Sequence, residues 1–189
     1  MFDSKGIVLG VDPGLSHCGY GAIRRAPSGP ESLVYGEIST DPASDVAERL
    51  LVLADELTEL IEGLAPTVLV VERILFQNNA KTAISVGQAS GVVLLTAARV
   101  GIPVVIYSPN EVKLAVTGSG AAPKRQVQLM VTRLLNLEAV PGSPDAADAL
   151  ALALCHLQSA HLRSLGDATK SAPGLVNAIS AALARESAS

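Results

Sequence analysis

The sequence of 189 residues contains no tryptophan, two phenylalanines and three tyrosines. Proteins that bind extended single-stranded nucleic acid stack the bases on aromatic side chains, so this scarcity argues against that class.

Cysteine is also scarce, since Cys18 and Cys155 are the two present and they form no CxxC pair. That spacing is wrong for a disulfide framework or a zinc site, and His17 beside Cys18 does not complete a tetrahedral ligand set. We expect both thiols to be buried.

Long hydrophobic runs are absent as well. No uninterrupted stretch of about 18 apolar residues is present, and residues 1–5 lack the basic and apolar regions of a signal peptide. We therefore expect a cytoplasmic protein with no membrane contact. The length and the hydrophobic content of 49% fit one folded domain. We place this domain at residues 1–165 and expect residues 166–189, which are rich in alanine and serine, to form a flexible tail.

Acidic residues are nearly missing from one segment of a chain whose net charge is −4. Between Arg73 and Leu137 there are seven basic residues and one acid, Glu111, so this segment carries +6 (7 minus 1) and the rest carries −10 (−4 minus 6). A basic segment beside a group of acids favours an enzyme that handles a polyanion. The alternative is a solvated helix face with scattered basic residues.

Four carboxylates stand where the predicted strands and helices would bring them together. Asp12 follows the apolar run 7–11 and Glu72 follows the run 68–71, so each is the last side chain of a buried strand. Asp145 and Asp148 are three residues apart and share one face of a helix. Hard oxygen ligands of this kind suit magnesium or manganese, and a pair of such ions can hold a phosphate during phosphodiester cleavage.

Each acid taken alone also has a structural explanation. Asp145 and Asp148 fit the N-terminus of a helix, where acids are favoured for reasons unrelated to catalysis. Glu72 fits an ion pair with Arg73 or another base. The four acids together favour the metal site.

Hydrophobic periodicity predicts three strands, a helix, a strand, a helix, a strand and then helices. The strands at 6–12 and 17–25 flank a turn-rich link and form an antiparallel hairpin, with a third strand at 33–38. The remaining predicted elements are a helix at 44–64, a strand at 67–72, a helix at 79–100, a strand at 104–107, and helices at 109–116, 123–135 and 143–162. Small residues in the helix 79–100 permit close packing, so we expect this helix to form the interface with a second copy of the chain. The alternative is that it simply covers the sheet.

Several motifs resemble those of the RuvC-type Holliday-junction resolvases, over roughly residues 6–162. They are Gly10-Val11-Asp12-Pro13-Gly14 with Gly19-Tyr20-Gly21, Val71-Glu72-Arg73 followed by Gln77-Asn78-Asn79, Gly87-Gln88-Ala89, Val112-Lys113, and Asp145-Ala146-Ala147-Asp148-Ala149-Leu150. The first motif alone also resembles a phosphate loop of actin-like kinases. All four acids in this order and spacing are specific to the resolvase family.

The resemblance implies an α/β nuclease domain of the ribonuclease H-like fold, with a five-stranded mixed sheet flanked by helices. It implies that Asp12, Glu72, Asp145 and Asp148 are the catalytic acids, which bind two Mg²⁺ ions that Mn²⁺ is able to replace. The implied activity is the resolution of four-way DNA junctions by paired nicks that leave 5′-phosphate and 3′-hydroxyl ends. The implied assembly is a homodimer that works beside a RuvAB-type branch-migration complex in recombination and repair.

The resemblance also implies a set of DNA contacts: Arg73, Leu75, Phe76, Lys81, Lys113, Lys124 and Arg125. Lys113 and Lys124 match basic positions that the family uses near the scissile phosphate, and their structural alternative is a lysine that lies along the surface. Leu75 stands where the family usually has an aromatic wedge, and Phe76 follows it. Either side chain is able to unstack a base at the junction centre.

Two other classes of function are alternatives to the nuclease. An actin-like ATP-binding domain needs two lobes and a second phosphate loop, and this chain has no second Asp-x-Gly loop. A junction-binding protein that does not cut stays open on sequence alone, although the complete set of acids argues against it. A ribosomal RNA processing factor of the same fold is typically shorter and lacks the region of Lys113 and Lys124.

Overall fold

The computed structural model describes residues 6–73 and 80–170, which form one mixed sheet covered by helices on both faces. The elements in chain order are β1 (Val8–Asp12), β2 (His17–Ala26), β3 (Gly29–Ser39), α1 (Val46–Leu64), β4 (Val68–Glu72), α2 (Ala80–Val100), β5 (Val104–Tyr107), α3 (Pro109–Thr117), α4 (Lys124–Leu134) and α5 (Pro144–Lys170). The predicted order of strands and helices is confirmed.

The five strands lie in the order β3-β2-β1-β4-β5. The first three form an antiparallel meander, and β4 and β5 continue the sheet parallel to β1. Parallel neighbours need a crossover connection, which α1 supplies between β3 and β4 and α2 supplies between β4 and β5. The predicted five-stranded mixed sheet of a ribonuclease H-like fold is therefore confirmed.

Side chains alternate between two hydrophobic cores, one on each face of the sheet. Val8, Val68 and Val70 point toward the core formed with α3, α4 and α5. Leu9 and Val71 point toward the other core, formed with α1 and α2. This alternation places every second residue of β1 and β4 on the face that α5 covers.

Two elements are longer than the sequence pattern predicts. Strand β3 starts at Gly29 rather than 33, because Pro30 and Glu31 continue the ladder with β2 and Glu31 pairs with Arg24 at 2.8 Å. Helix α5 continues to Lys170, beyond the predicted end at 162 and across the expected domain boundary at 165. The predicted flexible tail therefore begins within this helix, and residues 171–189 lie outside the described part of the chain.

Helix α2 contains a segment, Ala83–Val100, that is long and apolar enough to cross a membrane, with a mean hydropathy of 1.4. A core helix of a soluble protein meets the same criteria. In this fold Ala89, Val93 and Ala97 form a fully buried stripe against the sheet and α1. This buried side of α2 fits the alternative that the helix covers the sheet, and its role as an interface between two copies of the chain stays a prediction.

Candidate active site

The candidate site lies where the parallel strands β1 and β4 end. Asp12 is the last residue of β1 and Glu72 is the last residue of β4, as the sequence predicts. Both follow the alternation of Val8 and Val70 and so belong to the face covered by α5. The two strands are neighbours in the sheet, so both carboxylates are delivered to one edge.

Three glycines on this face let α5 lie directly on the strand backbone. A Cβ added to Gly10 would lie 2.0 Å from the carbonyl oxygen of Ala149, and one added to Gly19 would lie 2.1 Å from that of Asp145. A Cβ on Gly21 would meet the side chain of Leu150 at 2.8 Å. Because any side chain at these positions would push the helix away, the glycines set the short distance between α5 and the strands.

The first turns of α5 carry the other two acids to Asp12. The carboxylate oxygens of Asp12, Asp145 and Asp148 lie within 4.8 Å of one another. Glu72 is not in this close group but lines the same cleft as Asp12 and Asp148. The cap of α5 is Ser143, whose hydroxyl accepts a hydrogen bond from the Ala146 backbone N–H at 3.3 Å. Capping therefore does not explain why the two aspartates face Asp12.

The crowding of acids raises the proton affinity of the site. Burial, followed by the charges of Asp148, Glu72 and Asp145, raises the pKa of Asp12 from 3.8 to about 7. Burial and the charge of Asp148 raise the pKa of Glu72, and burial is the main cause that raises the pKa of Asp148. A group of carboxylates that holds protons near neutral pH also attracts cations strongly.

Two lysines share a cleft of about 360 Å³ with Asp12, Glu72 and Asp148. Lys113 comes from α3 and Lys124 is the first residue of α4, and both line this cleft. The Lys124 ammonium lies 2.7 Å from Asp148 Oδ2. Positive and negative side chains thus line one depression, which is the arrangement needed to hold a phosphate beside bound cations.

Two other predicted DNA contacts, Arg73 and Arg125, are not among the residues that line this cleft. Arg73 is exposed just beyond Glu72 and close enough to lower the pKa of Glu111, after the stronger effect of Ser108. The ion pairs among described residues join His17 to Glu37, Arg24 to Glu31 and Lys124 to Asp148, so the alternative Glu72–Arg73 pair is not observed there. Arg125 is exposed beside Lys124.

Three predicted contacts lie outside the residues whose side chains are described: Leu75, Phe76 and Lys81. Their assignment stays a prediction. The structure argues against a zinc site formed by His17 and Cys18, because His17 is exposed while Cys18 is buried in the core on the α1 and α2 side of the sheet. Burial raises the pKa of the Cys18 thiol to about 12, so this thiol stays protonated at neutral pH.

Two features of the site are not predicted from the sequence. One is the glycine surface under α5, whose signal was the alternation of Gly19 and Gly21 along a strand that otherwise carries larger side chains. The other is a polar cluster of Glu37, His17, Ser39 and Ser143 at the start of α5. No local pattern marks this cluster, because its members come together only through the tertiary fold.

Comparison with known proteins gives one consistent family. The family model described as "Crossover junction endodeoxyribonuclease RuvC" matches residues 8–156. The crossover junction endodeoxyribonuclease RuvC of Salinispora arenicola is 49% identical over 158 residues, covering 83% of this chain and 90% of the relative. The protein of the same name from Moorella thermoacetica is 48% identical over 157 residues, covering 83% and 94%.

A solved structure agrees with these relatives. The structure titled "T. thermophilus RuvC in complex with Holliday junction substrate" superimposes with a TM-score of 0.78 at 34% identity, covering 83% of this chain and 96% of that chain. Residues 8–156, which the family model matches, include both strands that end in an acid and the start of the helix that carries the aspartate pair. The chain belongs to the RuvC family of crossover junction endodeoxyribonucleases.

Proposed function

We propose that this chain resolves four-way DNA junctions by metal-dependent nicks in two opposing strands, leaving 5′-phosphate and 3′-hydroxyl ends. The observation that carries the proposal is the meeting of three acids and two lysines at one cleft, with the Asp145 carboxylate close beside those of Asp12 and Asp148, in a chain of this family. The order of the four acids along the sequence matches the family motifs, and their positions in space match the requirements of phosphodiester cleavage.

The donor set fits hard divalent cations. Asp12, Asp145 and Asp148 offer carboxylate oxygens within 4.8 Å of one another, and Glu72 adds a fourth carboxylate at the same cleft. Magnesium and manganese prefer such oxygen ligands, and we assign these residues to two Mg²⁺ ions that Mn²⁺ is able to replace. When bound, the ions supply a water of lowered pKa and offset the charge that builds up on the phosphate and the leaving oxygen.

The remaining residues of the cleft orient the substrate. Lys113 and Lys124 line the same cleft as Asp12, Glu72 and Asp148, and there they hold the scissile phosphate by charge. Apolar side chains that line the same cleft, such as Val112 and Val127, exclude part of the water and strengthen these interactions. The exposed Arg73 and Arg125 extend the basic surface toward the neighbouring phosphates.

Cleavage of a labelled synthetic four-way junction tests the proposal. The parent protein is expected to nick opposing strands of the junction with magnesium, and to leave both the junction with chelator and a matched linear duplex intact. Asp12→Asn is expected to keep junction affinity and to lose cleavage, because it removes a central metal ligand that lies away from most phosphate contacts. Asp55→Asn, the same change on the exposed surface of α1, is the matched control.

Each other outcome has a distinct meaning. Tight junction binding with no nicks under any metal condition would favour a binding protein with a structural acid cluster. Cuts in the linear duplex at the same rate would indicate a less selective nuclease. An Asp12→Asn variant that cuts as fast as the parent would remove the assignment of the site.

The paired cuts require two active sites related by the near two-fold symmetry of the junction, so we propose a homodimer. The surface assigned to it is an exposed stripe of α2 that consists of Ile84, Gln88, Gly91 and Leu95. Ile84 and Leu95 are 63% and 53% exposed, and a Cβ added to Gly91 would meet no atom within 4 Å. A stripe with apolar side chains at both ends and a glycine between them allows a second copy of the helix to approach closely.

Three further assignments stay predictions of the family resemblance. They are a cytoplasmic location, cooperation with a RuvAB-type branch-migration complex, and a junction wedge formed by Leu75 or Phe76. Substitution of each wedge candidate by alanine, with cleavage and base unstacking measured on the junction, separates the roles of the two side chains.

A further inference from the structure

We propose that Glu37 is a positioning residue for the metal site, which acts through Ser143 on the first turn of α5. Glu37 has no part in the motifs of the family resemblance and lies on β3, two strands away from β1. The inference rests on the proposed function, because it concerns how the acid cluster of that function is held together.

The contact between the two residues joins distant parts of the chain. The Ser143 hydroxyl donates a hydrogen bond to Glu37 Oε2 at 2.5 Å, across 106 residues of sequence. Ser143 directly precedes α5 and caps it, since its oxygen also accepts from the Ala146 N–H. A carboxylate acceptor makes this a charge-assisted hydrogen bond, which is stronger and more directional than one between neutral groups.

The location of Glu37 follows from the register of the sheet. Glu37 is paired directly with Gly19 on β2, and directly paired residues of an antiparallel ladder project from the same face. Gly19 is the glycine on which the Asp145 carbonyl rests. Glu37 therefore stands beside the point where α5 meets the sheet, one strand further toward the edge.

Two neighbours hold the Glu37 carboxylate in place. The Ser39 hydroxyl donates to Glu37 Oε1 at 3.1 Å, and His17 Nδ1 lies 3.2 Å from the same oxygen. The hydrogen bonds from Ser143 and Ser39 lower the pKa of Glu37, so the group is ionised at neutral pH. A fixed carboxylate at this position limits how far the N-terminus of α5 is able to rise from the sheet.

The consequence concerns Asp145 and Asp148. The acids repel one another, and the raised pKa values of Asp12 and Asp148 record that burial and repulsion. Movement of the first turn of α5 away from β1 would relieve the repulsion and would spread the ligands apart. The Glu37–Ser143 contact opposes this movement, so it preorganises the ligands for a cation.

The binding of Mn²⁺, measured by calorimetry on the full chain without DNA, tests this role independently of cleavage. Glu37→Gln and Ser143→Ala are each expected to raise the Mn²⁺ dissociation constant by about 10-fold. Ser143→Thr keeps the hydroxyl and is expected to retain the parent value. Glu31→Gln, on the same strand but paired with Arg24 away from the cleft, is the matched control and is expected to change nothing.

A double-mutant cycle separates positioning from simple charge. If Glu37 acts through Ser143, the double variant Glu37→Gln with Ser143→Ala is expected to lose about 10-fold in affinity, no more than either single variant. If the negative charge of Glu37 merely attracts the cation, the two effects multiply to about 100-fold and the effect of Glu37→Gln shrinks at high salt. That second result would overturn the inference.

Two more measurements keep the conclusion independent of folding and of the proposed function. Thermal unfolding of each variant reports loss of stability, which by itself leaves the dissociation constant of the folded protein unchanged. Mn²⁺ binding by the variant Asp12→Asn is measured in the same way. If Asp12→Asn loses Mn²⁺ binding while Glu37→Gln and Ser143→Ala keep it, the positioning role is wrong and the metal site stands. If Asp12→Asn also keeps Mn²⁺ binding, the proposed site itself is wrong.

Discussion

The Lys124 ammonium lies 2.7 Å from Asp148 Oδ2 and so pairs a basic side chain of α4 with one of the acids of α5. Burial alone would lower the pKa of Lys124, but the hydrogen bond to Asp148 and the charges of Asp148, Asp145 and Asp12 raise it. The lysine therefore stays charged and competes for Asp148 with any cation that binds there. Release of this lysine by a bound cation would free its ammonium for the substrate phosphate.

Replacement of Lys124 by methionine tests this competition. We expect Lys124→Met to bind Mn²⁺ about 5-fold more tightly at pH 8, because the cation no longer has to break the ion pair with Asp148. An ion pair with a partly exposed partner contributes at most about 1 kcal/mol, which corresponds to about 5-fold in affinity. We expect junction cleavage to slow by about 100-fold, because a charge that stabilises the transition state is lost. Calorimetry and single-turnover cleavage measure the two effects, with Arg133→Met, an exposed arginine in the last turn of the same helix, as the control. Weaker Mn²⁺ binding by Lys124→Met would show that the lysine does not compete.

The protein without metal should lose stability as the pH rises. The pKa of Asp12 is about 7 in the folded chain against an ordinary value of 3.8, so between these values the folded state holds a proton that the unfolded state lacks. Its contribution is complete below about pH 4 and is lost as the pH rises through 7. We expect the free energy of unfolding, measured with urea and chelator, to fall by about 2 kcal/mol from pH 5 to pH 8.

Two controls tie that pH dependence to the acid cluster. Asp12→Asn removes the titrating group, so this variant should be more stable than the parent at pH 8 and should show a flatter pH profile. Mn²⁺ should restore the stability of the parent at pH 8 and have little effect on the variant. A parent protein whose stability rises between pH 5 and pH 8 in chelator would contradict the crowded arrangement of the carboxylates.

The glycines under α5 should tolerate no side chain. Gly19→Ala places a Cβ 2.1 Å from the Asp145 carbonyl oxygen, and backbone is unable to yield as a flexible side chain does. We expect the free energy of unfolding to fall by about 2 kcal/mol. We expect the free energy of Mn²⁺ binding to weaken by more than this, because Asp145 itself is displaced. Gly63→Ala in α1 meets no atom within 4 Å and should be neutral or stabilising by up to about 1 kcal/mol. Urea unfolding and calorimetry provide both readouts.

The sequence predicts most of the fold because the relevant signals are local. The apolar runs that precede Asp12 and Glu72 identify buried strands, and the acids that end them identify the edge where the site forms. Strand β3 starts at Gly29 rather than at the predicted residue 33, because the pairing with β2 accommodates Gly29 and Pro30 at the end of a hairpin. Here tertiary pairing overrides local propensity.

The details of the site depend on contacts between distant segments. Lys124 meets Asp148 only because α4 and α5 pack together, and Glu37 meets Ser143 only because α5 lies on the glycines of β2. Neither pair has a spacing or a periodicity that a single sequence displays. The identities of the acids are therefore predictable from their motifs. The interactions that hold the acids in place and shift their pKa values are visible only in the structure.

The exposed stripe of α2 should determine whether the protein cuts in pairs. Leu95→Asp places a charge at the C-terminal end of the stripe, so we expect a dimer of the parent at micromolar concentration and a monomer of the variant, by light scattering. Leu51→Asp, at a position on α1 that is 61% exposed, is the control and should stay dimeric.

The two assemblies should leave different products on a supercoiled plasmid that extrudes a cruciform. Paired cuts across the junction convert the plasmid to a linear form, whereas a single cut relaxes it to a nicked circle. We expect linear product from the parent and nicked circles from Leu95→Asp, with Mn²⁺ affinity unchanged because the stripe and the acid cluster belong to opposite faces of the sheet. A parent that remains monomeric with junction DNA present, yet yields linear plasmid in one step, would rule out the symmetric arrangement on α2.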